Sequence, residues 1–598
     1  MNSFIIIITQ YFPSMLSGFL LTLAFPKTEF HWLAWLALVP MILSLYKLNN
    51  NKPNDKKILN NQINFIIRKN SNAKQAFYIG FIMGLCHFLS LIYWIVPTIS
   101  TYGQLPLSLA LPILLLLAYY LALYPALFTW GINWFGGNTK FMPLIAACLW
   151  VSLEYIRSIF LTGFPWGLVG YSQYMNLNLI QIADITSVYG VSFIVVLTNG
   201  VVAKLLIAIL SKKELRKNFK IDQLQGKQLK LDAVVWIISP TVWLISLIVI
   251  FGGVIGYGKF RIADIEKESA KSEKVNLSVI QGNIEQVFKW DLAYQESTIL
   301  KYCELSTLAV QEFRQKAQQK TDLPQKTYKE LEQFKDVEQL KPDLIIFPET
   351  ALPFYYVWNQ KLSDKVDECI KNIGTTFLVG SPAFQIVDEV QKTYKFYNRA
   401  YMVNKLGIIT GSYDKVHLVP FGEYVPFGKY LSFLGKIIAQ AGDFSSGKLE
   451  TNPLAFNGSS AGVLICFEVI FPYLARASVQ NGANILVTMT NDAWFGYTSA
   501  AKQHFTMAVF RAVENRRLVA RAANTGISGF IDPTGKIIQA SNLFEDITLT
   551  QSTPSMEIKT IYSKFGDIFA FLCLFAIGAG FVINISKKIK QREYNQEL

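Results

Sequence analysis

The chain has 598 residues, 52% of them hydrophobic and only 16% charged, with a mean hydropathy of +0.29, whereas an ordinary soluble domain carries about 25% charged residues. That balance excludes a purely soluble protein, and the length leaves room for a membrane part beside a globular one. The formal charge of +14 would suit a nucleic-acid binder only if it were gathered into one patch, so its placement decides its meaning.

A hydrocarbon core about 30 Å thick needs about 20 apolar residues of helix. In chain order, such runs nearly free of charge fall at about 4–25, 31–47, 76–96, 106–135, 141–160, 191–211, 233–257 and 565–586. They predict eight transmembrane helices, the fourth overlong and therefore tilted or partly interfacial. Seven of the eight crowd into the first 258 residues and cannot all be the core of a globule. The first run lacks a basic leader and is too long for the apolar part of a signal peptide, so it reads as span 1. The expected organisation is a membrane domain over 1–258, an outer domain over 273–552, an eighth helix over 565–586 and a basic tail over 587–598.

Residues 47–75 carry a net +6, residues 212–230 a net +5 and the tail from 587 a net +2. Eight spans put all three segments on one side, and the positive-inside rule makes that side the cytoplasm, with both termini in it. The opposite loops, 97–105 and 161–190, contain no Lys or Arg. Topology and anionic headgroups thus account for the charge, and no basic patch remains for nucleic acid. The outer domain then faces away from the cytoplasm, which in a bacterium means the periplasmic face of the inner membrane. Within the spans the main charges are Glu154 and Arg157, three apart and able to pair on one helix face.

From about 273 the pattern changes to short β-branched runs, at 275–280, 344–347, 376–379, 400–403, 463–466 and 485–488, separated by polar stretches of helical length. Strands alternating with helices predict an α/β domain with a layered sheet. Residues 304–342, polar with Gln and Lys in helical rhythm, read as a solvated excursion. Asp532-Pro533-Thr534-Gly535 reads as a turn between two late strands.

Three strand ends carry reactive side chains. In Phe347-Pro348-Glu349 a proline ends an apolar strand and leaves a carboxylate just beyond it. Tyr413-Asp414-Lys415 leads through His417 into Pro420-Phe421-Gly422-Glu423-Tyr424-Val425-Pro426. Cys466 closes a buried strand, with Phe467 and Glu468 following. A free thiol titrates near about 8.5, so little of it is thiolate at neutral pH. Glu349 as a nearby base would raise its competence as a nucleophile, and the Lys415 ammonium would stabilise both the thiolate and an oxyanion. Taken singly, each has a plain structural explanation: a strand-end Cys as a small core hydrophobe, a Glu or Lys as solvated surface.

Other patterns carry less. Gly458-Ser459-Ser460-Ala461-Gly462 matches a nucleophile elbow, but a loop precedes it and a strand follows, so it reads as a turn. His31, His87, His417 and His504 are scattered, and neither H-E-x-x-H nor C-x-x-C occurs, so neither a metal nor a cofactor is expected. His417, close to Lys415, either lines the site or is structural. Cys303 and Cys369 could pair in an oxidising compartment, which the sequence leaves open.

At these residues the chain resembles the nitrilase, or carbon-nitrogen hydrolase, superfamily, whose catalytic trio is Glu, Lys and Cys. The likeness runs through Gln281-Gly282-Asn283, Lys289-Trp290-Asp291, Phe347-Pro348-Glu349, Lys415, Cys466-Phe467-Glu468, Glu514-Asn515-Arg516 and Asn524-Thr525-Gly526. The flanking spans, Phe164-Pro165-Trp166-Gly167, Gly170-Tyr171-Ser172-Gln173 and Thr490-Asn491-Asp492-Ala493-Trp494-Phe495-Gly496 narrow it to a resemblance to the apolipoprotein N-acyltransferase family. The resemblance implies an α-β-β-α sandwich on the outer face of the bacterial inner membrane. It implies a ping-pong reaction in which an acyl chain passes from a membrane phospholipid to the cysteine. The chain then passes to the α-amine of a diacylglyceryl-apolipoprotein. By position, Cys466 is the nucleophile, Glu349 the proton acceptor and Lys415 the oxyanion stabiliser. Glu423 would support Lys415, and Trp290, Phe467 and Glu468 would shape the acyl site. The family often has tyrosine where this chain has Phe467, so any hydrogen bond from that hydroxyl is lost.

Moving an acyl chain of about 15 methylenes from bilayer to water would cost on the order of 12 kcal/mol, so a catalytic domain tethered to the bilayer at both ends suits this chemistry. The aromatic loop 161–190, on the same side, is expected to form part of the lipid entrance through Trp166 and Tyr171. Two rival readings remain: a membrane-anchored amidase with a water-soluble substrate, which needs only one anchor, and a non-catalytic scaffold or transporter, which would carry more charge within its spans.

Overall fold

The computed structural model describes residues 2–50, 62–136, 139–218, 227–321, 340–426, 443–449 and 452–597. The chain divides into two units: Met1–Tyr93, Leu111–Lys259 and Asp567–Leu598 form one, Trp94–Ala110 and Phe260–Gly566 the other. Parts of the basic segments 47–75 and 212–230 lie outside the described residues.

The first unit is helical. Its helices are α1 (Asn2–Leu23), α2 (Val39–Asn50), α3 (Gln62–Leu91), α4 (Leu107–Trp134), α5 (Met142–Ile159), α6 (Ala183–Asn218), α7 (Lys227–Lys271, running on into the second unit) and a C-terminal helix, Ile568–Glu597. Among the described residues six stretches are long and apolar enough to cross a membrane: His31–Asn49, Leu107–Trp134, Met142–Thr162, Ala183–Leu210, Pro240–Lys271 and Ile568–Lys590. A seventh arises if Asn72–Leu91 and Ile95–Tyr102, bent by 54°, count as one span, and the first predicted span is described as the shorter apolar helix Tyr11–Leu23. Six or seven candidates therefore stand where the sequence predicts eight. The bend has a physical origin. Past Leu91 the chain is drawn into the second unit, where Trp94 packs edge-on against Phe495 at 5.0 Å and Tyr102 against Trp494 at 5.7 Å.

Small residues set the helix spacing. On α3, a Cβ added at Gly80 would lie 2.0 Å from the Pro125 carbonyl oxygen, and one at Gly84 would lie 2.8 Å from the Ala122 Cα. Two glycines four apart thus let α3 and α4 touch backbone to backbone, as apolar helices do in lipid. Glu154 and Arg157, which by spacing could pair with each other, instead hold the loop after α5. Glu154 Oε1 accepts from Val169 N at 2.7 Å and from Trp150 Nε1 at 2.9 Å. Arg157 donates to the carbonyls of Trp166 at 2.9 Å and Gly167 at 3.5 Å. Buried non-helical backbone needs partners for its peptide groups, and these two charges supply some of them.

The second unit is built on two six-stranded sheets. The first contains β1 (Lys274–Gln281), β2 (Leu344–Ile346), β3 (Thr376–Asp388), β4 (Thr393–Val403), β5 (Ile409–Asp414) and β12 (Ile547–Pro554), in the order β12-β1-β2-β3-β4-β5. The second contains β6 (Leu454–Phe456), β7 (Ser459–Ile465), β8 (Ile485–Thr490), β9 (Leu518–Ala523), β10 (Gly529–Ile531) and β11 (Ile537–Ala540), in the order β11-β10-β9-β8-β7-β6. β1, β2 and β3 are parallel, as are β7, β8 and β9; the outer pairings are antiparallel. Alternation sends Val275, Leu277 and Val279 into a core shared with Val463, Ile465, Val487 and Met489 of the facing sheet. Ile280, Ile345 and Phe377 point the other way, into a second core under α8 (Gln295–Thr321) and α9 (Gln360–Ile373). α10 (Pro472–Gln480) and α11 (Ala500–Asn515) cover β7 and β9. The layers are α-β-β-α, the sandwich that the resemblance implies.

Strands buried on both faces read as unbroken apolar runs, and each of the six predicted runs meets a strand, two of them overrunning its end by one residue, at Phe347 and Cys466. The Asp532 turn is also found between β10 and β11, its Oδ1 accepting from Thr534 N and Lys536 N. The excursion predicted at 304–342 needs correction. Up to Thr321 it is helix α8, not wholly solvated, since it buries Ser306, Ala309 and Val310; 322–339 lie outside the described residues. A disulfide joins Cys303 on α8 to Cys369 on α9, with the Cα atoms 6.0 Å apart. At the Gly458 motif, Asn457 and Gly458 form the turn with positive φ, and Ser459 to Gly462 already belong to β7.

Candidate active site

Glu349, Lys415 and Cys466 lie just past the C-terminal ends of β2, β5 and β7. Cys466 is not the last residue of its strand, as the sequence suggests, but the first beyond it, with φ of +53°. For a residue with a Cβ that left-handed conformation costs about 1 kcal/mol, so the turn must be held. Glu468 Oε2 accepts from Ile465 N at 2.6 Å on one side, and on the other the His504 ring Nε2 lies 3.1 Å from the Cys466 carbonyl oxygen.

The three functional groups meet in a buried network. The Cys466 thiol lies beside the Glu349 carboxylate and the Lys415 ammonium, near enough for each to act on the other electrostatically. Glu349 Oε1 accepts from Asn398 Nδ2 at 2.7 Å and from Lys415 Nζ at 3.3 Å, and Oε2 accepts from Asn491 N at 2.9 Å. Lys415 Nζ also donates to Glu423 Oε1 at 2.9 Å. Glu423 Oε2 is fixed by Val419 N at 2.8 Å, and Asn398 bridges the two carboxylates with a second contact of 3.2 Å to Glu423. Lys415 is 1% exposed and Glu349 7%, so these charges interact with little screening.

The electrostatics set each protonation state. Burial pushes the Cys466 thiol well above its ordinary range and the Glu349 charge adds to this, while Lys415 opposes; the resting group is a thiol and needs a base. Burial alone would raise Glu349, but Lys415 and Lys289, with the Asn398 hydrogen bond, outweigh it and hold the carboxyl below its usual value. Burial would lower Lys415, but Glu423 and Glu349 more than reverse that and keep it charged. An ionised acceptor in contact with a fixed cation, with a protonated thiol beside them, is the starting state for general-base-assisted nucleophilic attack.

The supporting residues separate. Glu423 is in the network. Glu468 is fully buried, and its Oε1 accepts from Val416 N at 2.6 Å and His417 N at 3.0 Å, with Tyr413 Oη donating at 3.0 Å. It therefore ties the Lys415 segment to the Cys466 turn, and burial pushes its carboxyl up to about 7 despite those donors. Phe467, half-buried, packs edge-on against Phe471 at 5.2 Å. His417 stacks on Phe471 at 3.7 Å with its Nδ1 3.0 Å from Tyr473 Oη, which is the structural alternative. Trp290 is 36% exposed, on the turn that carries Lys289. Trp166 and Tyr171 belong to the first unit, each only 1% exposed. Asn398 and Arg521 escaped sequence reading, and Asn491, Asp492 and His504 appeared there without a role; Asp492, His504 and Arg521 form a cluster joined at 2.7 to 3.0 Å. Among the described residues no group of three or more His, Cys, Asp or Glu could hold a metal ion.

Comparison with known proteins fits this picture. Residues 17–201 match the family described as the apolipoprotein N-acyltransferase N-terminal domain, and residues 276–561 the carbon-nitrogen hydrolase family. An apolipoprotein N-acyltransferase of Geobacter metallireducens is 35% identical over 567 residues, covering 94% of this chain and 93% of that one. One from Pasteurella multocida is 29% identical over 592 residues, covering 97% of each. Among solved structures, a carbon-nitrogen hydrolase from Helicobacter pylori aligns with a TM-score of 0.34 at 13% identity, covering 49% of this chain and 94% of that one. With both family matches in chain order and identity of this level along nearly its whole length, the chain belongs to the apolipoprotein N-acyltransferase family.

Proposed function

We propose that this acyltransferase moves an acyl chain from a membrane phospholipid to the α-amine of the N-terminal S-diacylglyceryl-cysteine of apolipoproteins, through a thioester on Cys466. Glu349 takes the thiol proton as Sγ attacks the ester carbonyl. Lys415 faces the oxyanion that forms. When the carbon–oxygen bond breaks, Glu349 returns the proton to the departing lysophospholipid oxygen. The acceptor amine then attacks the thioester and passes a proton to Glu349. The carbon–sulfur bond breaks, and Glu349 reprotonates the sulfur. The observation that carries this reading is the convergence of a buried Glu349 and Lys415, 3.3 Å apart, on the turn that holds Cys466.

In this reading eight spans cross the bacterial inner membrane, both termini are cytoplasmic, and residues 273–552 are periplasmic. Glu423 anchors Lys415, Glu468 frames the nucleophile turn, and Trp290 and Phe467 border the acyl path. No cofactor takes part. The 161–190 loop, with Trp166 and Tyr171, lines the lipid entrance; replacing both without loss of acyl transfer would refute that role. The deciding experiment is peptide mass mapping of the purified protein after exposure to labelled phospholipid. A hydroxylamine-sensitive acyl group on Cys466 is expected. Its absence, with ammonia released from amide substrates, would make the protein a hydrolase.

A further inference from the structure

The network around Glu349 leaves one buried cation unexplained. Lys289, 2% exposed, sits on the turn after β1 and donates from Nζ to the Glu349 carbonyl oxygen at 3.1 Å. Among the described residues it forms no ion pair. Three residues earlier, Gln286 Oε1 accepts from Asn491 Nδ2 at 2.7 Å, and Asn491 N donates to the Glu349 carboxylate. One turn thus reaches Glu349 at both its backbone and, through Asn491, its side chain. Charge counting shows what else the turn brings. Glu349, Glu423 and Lys415 together carry one net negative charge in a buried site, and Lys289 is the cation that cancels it.

We propose that Lys289 is a positioning residue for the acyl transfer, locking the Glu349 loop through its carbonyl and supplying the second positive charge that keeps Glu349 ionised beside Glu423. This deepens the function proposed above and rests on it for the reaction, though not for the electrostatics. The groups facing Lys289 are Glu349 after β2 and Cys466 after β7; through Glu349 it acts against Lys415 and Glu423, and Glu285 and Asp291 share its own turn. Burial lowers its pKa to about 8, with Glu349 and Cys466 resisting the fall, so it remains charged at neutral pH. With that charge removed, Glu349 would share one ammonium with Glu423 and hold its proton to a higher pH.

The test uses the full-length protein in detergent. Iodoacetamide alkylation of Cys466 is followed by peptide mass mapping across pH, a readout that needs no acyl substrate. In Lys289→Gln, which keeps a donor for the carbonyl but loses the charge, the acid limb of the alkylation profile should move up by about one pH unit. In Lys289→Arg, which keeps the charge, the limb should stay where the unmodified protein has it. A limb unmoved in Lys289→Gln, whatever the rate, would overturn the proposal. Should Lys289→Gln not fold, a limb that moves up in Lys289→Arg would overturn it equally. Thioester formation from labelled phospholipid in the unmodified protein separates the two readings. If the limb moves as expected but no thioester forms, the reaction assignment fails while the role of Lys289 in ionising Glu349 stands.

Discussion

In the helical unit, Glu154 and Arg157 bind the backbone of the loop after α5, with the Trp150 indole as a further donor to Glu154. In the α/β unit, Glu349, Lys415 and Glu423 face one another and a thiol, with a single backbone donor on Glu349. Both sets are buried, and burying a charge is costly unless it is paired or hydrogen-bonded. The difference lies in the partners. Peptide groups do not titrate, so a charge bound to them acts as a fixed strut. Titratable partners can exchange a proton with it, so the same burial yields a site poised for chemistry.

The largest effects should fall on the second set. Cys466→Ala should abolish the acyl-enzyme seen by mass spectrometry, and Glu349→Gln, nearly the same shape, should slow its formation by about 10³-fold with little change in unfolding midpoint. An acylated Cys466→Ala protein would end the assignment. Next comes a control that shares no residue with either cluster. The disulfide between Cys303 and Cys369 closes a separation of 66 residues, worth about 4 kcal/mol by chain entropy. Cys303→Ala or Cys369→Ala should therefore lower the unfolding midpoint while leaving Cys466 able to take up an acyl group. Arg157→Met comes third. It strands two loop carbonyls and should cost about 3 kcal/mol, read as an earlier thermal transition in detergent. If it instead stopped acylation with the transition unmoved, the strut interpretation would be wrong.

How far this contrast was readable in the sequence depends on what each residue touches. Glu349, Lys415 and Cys466 stand at the ends of apolar strands, and motif likeness marked them before any geometry. Asn398 lies within β4 and Asn491 just past β8, so their convergence on Glu349 is purely spatial. Lys289 appeared only as part of a motif, because nothing local signals that its side chain turns inward. The left-handed backbone of Cys466 was likewise hidden, since no glycine marks it. α8 was misread because its outward face is polar, while its buried face carries only a few apolar residues such as Tyr302 and Val310. β9 and β12 were not predicted, since Arg521 and Gln551 interrupt their runs, and β5 was marked only by its end at Asp414, since Gly411 and Ser412 interrupt its run. The bend after Leu91 depends on aromatic partners some 400 residues away, beyond any local pattern.

Glu468 tests the comparison most finely, because it lies in the catalytic unit yet is bound like Glu154, by backbone N–H groups. Burial raises its carboxyl to about 7, against about 4.3 in an unfolded chain. An acid whose folded value is raised contributes stability that is complete below the unfolded value and is lost as pH rises through the folded one. Between pH 5 and 8 the α/β unit should therefore lose about 3 kcal/mol from this group. Glu468→Gln cannot ionise, so that slope should vanish. Its amide nitrogen must face a backbone donor, a mismatch of about 1–3 kcal/mol, so the variant should start lower at pH 5 and draw level towards pH 8. Parallel unfolding curves for the two proteins would mean that Glu468 keeps its charge throughout. It would then belong with Glu349 and Lys415 as part of the charge balance, and not with Glu154 as part of the frame.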